Sequence, residues 1–301
     1  LPATRRTPNL PARTLRRRGS GFGFLQQGGS EREFQDRRAE LDVELLLFVR
    51  DLQDAGGGGR RRSGPLHLAS ESRELEQRFV PAREGDLSLW DLTLRGRDSD
   101  FVATCSAGQL ALHRVAVEQS RGGIDASAGC TLTVERSRLR DLDRAALRMD
   151  SSVRYRVINS LIAANGAAFT AAERSSMVDL VIDLASSLRG NRFVFNTVAQ
   201  NQGGLVCRPG QVLTASLLLT TTGARPIPDP SCSQLSSFTG PDNAPQLGPQ
   251  YQLTEGSTGC IDQAGGFAPE PPDPDGLLDT DYHDTPRPQR RGFDIGFFEL
   301  P

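Results

Sequence analysis

Two columns of charged residues are the first feature of the 301-residue chain that could do chemistry. Arg95, Glu118 and Arg140 stand 23 and 22 residues apart, and Asp98, Arg121 and Asp143 repeat the same two steps. The signs alternate in both. If equal spacing means stacked rungs, a strand separation of ~4.8 Å brings each guanidinium against a carboxylate of the next rung. Such a face can be a pair of exposed ion-pair ladders, each contact contributing about 0–1 kcal/mol. It can also be a groove that binds or cleaves an acidic polysaccharide. For cleavage the carboxylates are poorly suited, because flanking Arg residues lower their pKa values and weaken them as general acids. The face is expected to bind rather than to cut, and no catalytic residue is assigned.

An acidic loop is the second candidate. Asp273, Asp275, Asp279, Asp281 and Asp284 crowd one stretch, and Asp273-Pro274-Asp275-Gly276 has the opening of a calcium loop. The Glu that should close such a loop is missing, and prolines stiffen its entry. Calcium is therefore the one candidate cofactor, set against a solvated acidic loop. Other chemistries are excluded by composition. Every basic residue is Arg, so Schiff-base and phosphate-loop lysines are absent. The three His residues lie far apart in sequence, and a His-rich metal site is not expected.

Five cysteines, Cys105, Cys130, Cys207, Cys232 and Cys260, include no Cys-x-x-Cys pair, against structural zinc. In an exported protein Cys105 would bridge Cys130, and Cys232 would take Cys207 or Cys260. Five reduced, buried thiols are the alternative.

The elements that must position these residues are set by a repeat. Leu94, Val117, Leu139, Ile162, Val198 and Leu218 end successive copies of one phrase, at intervals of 23, 22, 23, 36 and 20. Five residues before each stands another apolar residue: Leu89, Leu112, Val134, Val157, Phe193 and Leu213. Alternating apolar positions with polar or Gly-rich joints, repeating in the low twenties, mark a solenoid of stacked coils. The fixed Asn of a leucine-rich repeat and the 3.6 periodicity of helical repeats are both missing. Phrases such as Leu87-Ser88-Leu89 and Leu92-Thr93-Leu94 give two short strands and a bend per coil. The fold class predicted is all-β, a parallel β-helix whose core gains ~1.5–3 kcal/mol per buried aliphatic side chain.

Four segments follow. Residues 1–29 are a flexible Arg-, Pro- and Gly-rich arm, in which no aromatic residue is interleaved among the Arg residues as in a nucleic-acid-binding tail. In 30–62, Ser30 and Glu33 form a capping box before Phe34, Arg38, Leu41, Leu45, Phe48 and Leu52, which predicts a helix capping the solenoid's N-terminal end, followed by a cleavable Gly/Arg linker. Residues 63–223 are the β-helix, in which Asn165 and Asn201 fall at matching turn positions suited to an amide ladder. The long interval leaves residues 169–192 open as an extra strand, an irregular coil or a loop. Residues 224–301 are an extended Pro- and Gly-rich tail, since its many prolines oppose internal strands.

A net charge of −2, from 35 basic and 37 acidic residues, gives no field that would point to nucleic acid or membrane. The longest apolar run, Leu45 to Val49, is far too short to span a bilayer. With neither an initiator Met nor a signal pattern at Leu1, the chain is expected to be a processed or trimmed form.

The tail carries a resemblance. Cys260-Ile261-Asp262-Gln263-Ala264-Gly265, Asp284-Thr285-Pro286-Arg287-Pro288 and Asp294-Ile295-Gly296-Phe297-Phe298-Glu299, preceded by Tyr251-Gln252-Leu253, resemble the closing signature of the choice-of-anchor Q proteins. That bacterial family ends a right-handed, pectate-lyase-like β-helix with phrases of the type "SPAIDAG", "DxxGxPRP" and "DIGAFE". Thr258-Gly259-Cys260 and Phe297 depart from the pattern. The resemblance implies a right-handed helix, export, and a secreted or cell-surface location, and it brings no catalytic residues. The leading expectation is a non-catalytic surface or matrix module that binds extracellular polysaccharide or other surface proteins. The alternative is a carbohydrate-active enzyme, a pectate-lyase-like lyase or glycoside hydrolase, with a pocket formed by Phe169 to Arg192 against the charged columns.

Overall fold

The computed structural model describes residues 86–96, 100–127, 129–170, 180–184, 190–221, 224, 227–242, 245–264, 278–289 and 292–300, and the backbone of strands at 66–69, 75–76 and 80–82. The expected capping helix lies outside the described residues, as do Asp98, Asp273 and Asp275.

Alternation and register build a parallel β-solenoid with three sheets, of eight, eight and six strands. Six coils supply all three strands and two further coils supply the first two. Coil 2 runs Asp86–Trp90, Thr93–Arg95 and Ala103–Cys105; coil 3 runs Gln109–His113, Ala116–Glu118 and Ile124–Ala126. Coil 4 begins at Thr131, coil 5 at Arg154, coil 6 at Arg192, coil 7 at Val212 and coil 8 at Ser233. Both apolar columns read from the sequence are in register. Leu94, Val117, Leu139, Ile162, Val198 and Leu218 pair rung to rung in the second sheet. Leu89, Leu112, Val134, Val157, Phe193 and Leu213 do so in the first. All twelve are at most 2% exposed.

Two expectations are corrected. Each full coil has three strands, not two. The third, such as Ile124–Ala126 or Leu147–Met149, is three residues long, too short for alternation to be told from a turn. The long interval holds such a strand, Leu180–Leu184, paired between Leu147–Met149 and Gly204–Cys207. The sheets also continue past residue 223, through Ser233–Leu235 and Phe238–Pro241. Pro241 ends the last strand of its sheet, where its missing N–H breaks no ladder.

The bend between first and second sheets follows one rule. Asp91, Arg114, Arg136, Asn159, Phe195, Ala215 and Ser236 all hold φ between 46 and 55°. A non-Gly residue in this region costs about 1–2 kcal/mol. In coils 4 to 7 offsetting contacts come from the residue after the bend. Ser137 Oγ accepts from Val115 N, Ser160 Oγ from Ser137 N, Asn196 Oδ1 from Ser160 N, and Ser216 Oγ from Asn196 N, at 3.0–3.2 Å. The expected amide ladder also forms: Asn165 N donates to Asn201 Oδ1 at 3.0 Å and Leu142 N to Asn165 Oδ1 at 3.1 Å. These six amides at the bends are thus given acceptors along the two columns.

Disulfides join Cys105 to Cys130 and Cys207 to Cys232, each across 25 residues, and Cys260 is a buried free thiol. Both staples tie the end of a third-sheet strand to the residue before a first-sheet strand, closing about one coil.

The tail packs on the outside of the solenoid. Leu253, Cys260, Ala264, Leu278 and Ile295 form a second apolar cluster with Ile158, Val194, Phe195, Ala199, Leu217 and Leu219. Its closing phrases converge on Arg287, whose side chain is 0% exposed. That guanidinium donates to Glu299 Oε2 at 3.2 Å, to the Gly296 carbonyl at 3.0 Å and to Asn159 Oδ1 at 3.3 Å, and lies 4.1 Å from the Phe195 ring centroid. Asp294 accepts from the amides of Asp262 and Leu300, both at 2.7 Å. Gly296 has φ +106°, and a Cβ there would come within 2.8 Å of Thr197 Oγ1.

Candidate functional site

The outer face of the first sheet carries a groove of about 370 Å³ across coils 2 to 5. Strand alternation produces it. Positions 87 and 89 and their partners point inward, so the intervening column, Ser88, Ala111, Thr133, Arg156, points out. Its first three members are small and form the floor. The column beside it, Trp90, His113, Glu135, forms one wall.

The wall is a connected set of side chains. The Trp90 and His113 rings stack at 3.9 Å and 15°. His113 Nδ1 donates to Glu135 Oε2 at 2.9 Å, which places a proton on Nδ1 and turns Nε2 away from the carboxylate. Arg156 Nη2 stands 3.5 Å from the other oxygen of Glu135, whose side chain is only 5% exposed. Arg114 lies 5.7 Å from the Trp90 ring centroid and makes a two-pronged bond to Asp91, which raises its pKa. Arg136 reaches out of the groove to Asp284 and Thr280 of the tail.

A half-exposed indole beside hydroxyl, amide and guanidinium groups can stack an apolar ring face and hydrogen-bond its rim. A saccharide ring has both surfaces. His113 held by Glu135 adds an imidazole of fixed orientation.

The residues singled out in the sequence lie elsewhere. Arg95, Glu118 and Arg140 do stack, on the outer face of the second sheet, with Arg95 Nη2 2.7 Å and Arg140 Nε 3.0 Å from the two oxygens of Glu118. Burial alone would raise the Glu118 carboxyl, but the two guanidinium groups outweigh it and hold it below its ordinary value. Arg121 pairs with Asp100 at 3.2 Å, and Asp143 is exposed. Among the described acidic-loop residues, Asp281 is 1% exposed and its carboxylate accepts from the amides of His283, Thr285 and Glu299. Asp279 is exposed and its carbonyl accepts from Arg287 N. Among the described residues no three His, Cys, Asp or Glu side chains are grouped so as to hold a metal ion.

Trp90, His113 and Glu135 escaped the sequence reading although its register contains them. They stand four residues before the anchors Leu94, Val117 and Leu139, in a column of mixed chemistry that carries no repeat signal. Sequence distance separated the His residues from any partner; stacking brings His113 between Trp90 and Glu135.

A larger open depression of about 570 Å³ lies on the third sheet, lined by Asp125, Arg148, Asp150, Asp183 and Arg208 among others. Arg148 is held by both oxygens of Asp125, at 2.7 and 2.8 Å. No aromatic side chain among the described residues lines it. The smaller groove has the richer chemistry.

No family model, curated protein or solved structure matches the chain. No helix among the described residues is long and apolar enough to cross a membrane.

Proposed function

We propose that the protein is an exported, non-catalytic β-helix module of a cell surface or matrix that binds polysaccharide in the groove of the first sheet. The single observation that carries this reading is Trp90 at the groove wall, half-buried and stacked on His113 beside a floor of the small residues Ser88, Ala111 and Thr133. Export is supported by the two disulfides, which persist in oxidising compartments. The resemblance of the tail to choice-of-anchor Q proteins supports a surface location, and its phrases supply the residues of the Arg287 network. Calcium held by Asp273, Asp275, Asp279 and Asp281 is a part of this reading that a rise in melting temperature on adding calcium would support and no rise would remove.

Trp90 is the only tryptophan of the chain, so its emission reports this groove alone. A glycan array should give a hit whose solution titration shifts Trp90 emission, and Trp90→Ala should lose at least tenfold in affinity, about 1.4 kcal/mol or more. Array binding that Trp90→Ala leaves intact would remove the groove from the account.

The His113–Glu135 pair favours a second reading, an enzyme acting on acidic polysaccharide. It requires release of unsaturated or reducing ends from uronic-acid polymers, abolished in His113→Ala. Polymer bound without shortening excludes it.

A further inference from the structure

We infer that the groove receives the end of a glycan chain, not its middle; the inference rests on the polysaccharide reading and names which part of the ligand is held. The lining residues come from four consecutive coils, so the long axis of the groove follows the solenoid. From coil 2 to coil 4 the floor is Ser88, Ala111 and Thr133. At coil 5 the same column becomes Arg156, and at coil 6 Arg192, so the floor rises by the length of a guanidinium side chain.

The wall changes at the same rung. Trp90, His113 and Glu135 are followed by Ile158 and Val194, which are buried beneath the tail with Leu253, Leu278 and Ile295. The tail is also fastened to the groove's edge. Arg136, on the bend of coil 4, bonds Asp284 and Thr280, and Asn159, on the bend of coil 5, donates to the Thr280 carbonyl at 2.8 Å. Arg156 itself is drawn to Glu135 at 3.5 Å, across the line of the floor. The C-terminal end of the groove is therefore closed twice, by Arg156 below and by the tail beside it.

A polymer lying along this axis meets that wall three rung spacings from Ser88, at about 14 Å, room for about three sugar rings. A chain held mid-length would have to climb over Arg156 and the tail together. A chain end stops there with its terminal ring against Arg156 and Glu135.

The test uses Trp90 emission in the unaltered full chain, titrated with oligogalacturonides and with cello-oligosaccharides of increasing length, and with the parent polymers. The expected result is affinity that rises up to about three rings and changes by less than about twofold beyond that, with polymer half-saturation matching the oligomers only when expressed per chain end. Borohydride-reduced oligomers then separate the two ends: lost binding assigns the reducing end and unchanged binding the other. Affinity that keeps climbing with length, or polymer half-saturation that tracks total sugar, overturns the chain-end inference and leaves the groove standing. No emission change with any glycan overturns the polysaccharide reading and this inference with it. Arg156→Ala, checked for an unchanged melting temperature, should move the length plateau beyond three rings; an unmoved plateau overturns Arg156 as the stop.

Discussion

The second sheet presents two kinds of outer face on one continuous backbone. In coils 2 to 4 the outward residues are Thr93 and Arg95, Ala116 and Glu118, Arg138 and Arg140. In coils 5 to 7 they are Leu161 and Ala163, Thr197 and Ala199, Leu217 and Leu219. Register and inward packing are the same in both halves. Only the outward chemistry differs, and it decides what lies above: the charged rungs pair with one another, while the apolar rungs are covered by the tail. A solenoid rung supplies no preference of its own, so the boundary between exposed and covered face is written in two side chains per coil.

Substitutions should separate the halves by the size of their effects. Arg287→Ala leaves Glu299 buried without its guanidinium partner and should cost about 3–5 kcal/mol, read as a fall in unfolding midpoint and release of the tail to protease. The staples come next. Because both disulfides enclose equal spans, Cys105→Ser and Cys207→Ser should each lower stability by about 3 kcal/mol in denaturant titration. The denatured protein should titrate one thiol before reduction and five after. Glu118→Gln, in the charged half, should cost only about 1 kcal/mol.

Acid should act on the halves in opposite directions. Glu118 is held below its ordinary pKa, so its contribution is complete above about pH 4 and is lost as pH falls through its folded value. Burial raises Asp294 and Glu299 above theirs, against the amides on the first and Arg287 on the second. The folded chain then binds those protons before the unfolded chain does, and the tail gains stability as pH falls through that range. Melting curves from pH 7 to 3 should show Glu118→Gln flattening the acid loss of the wild type. Identical slopes for variant and wild type would contradict the pairing of Glu118.

What could be read in advance followed from periodicity. Both core columns, the Asn165 to Asn201 ladder and the Arg95–Glu118–Arg140 stack are consequences of one spacing, and the rungs place them where that spacing requires. The third strand was hidden by its length. The covered half was readable: the column that begins Arg95, Glu118, Arg140 goes on to Ala163, Ala199 and Leu219, a change of chemistry that announces a cover. The burial of Arg287 was not, because a Pro-Arg-Pro phrase in a polar tail reads as exposed until the rung beneath it is known. The groove lies one residue past the Leu89, Leu112, Val134 column, and Trp90, His113 and Glu135 share neither a common chemistry nor an alternation of charge by which the sequence would mark them.

Hydroxyl-radical footprinting with and without the strongest glycan from an array tests the choice between the two faces in one experiment. Protection of Trp90 and His113 is the predicted result, with no change at Tyr282, whose ring centroid lies 5.9 Å from Arg138 of the charged rungs, or at Tyr251 and Phe298, which pack with it on the second sheet. Protection of those tail aromatics with Trp90 and His113 unaffected would place the ligand on the second sheet and contradict the account.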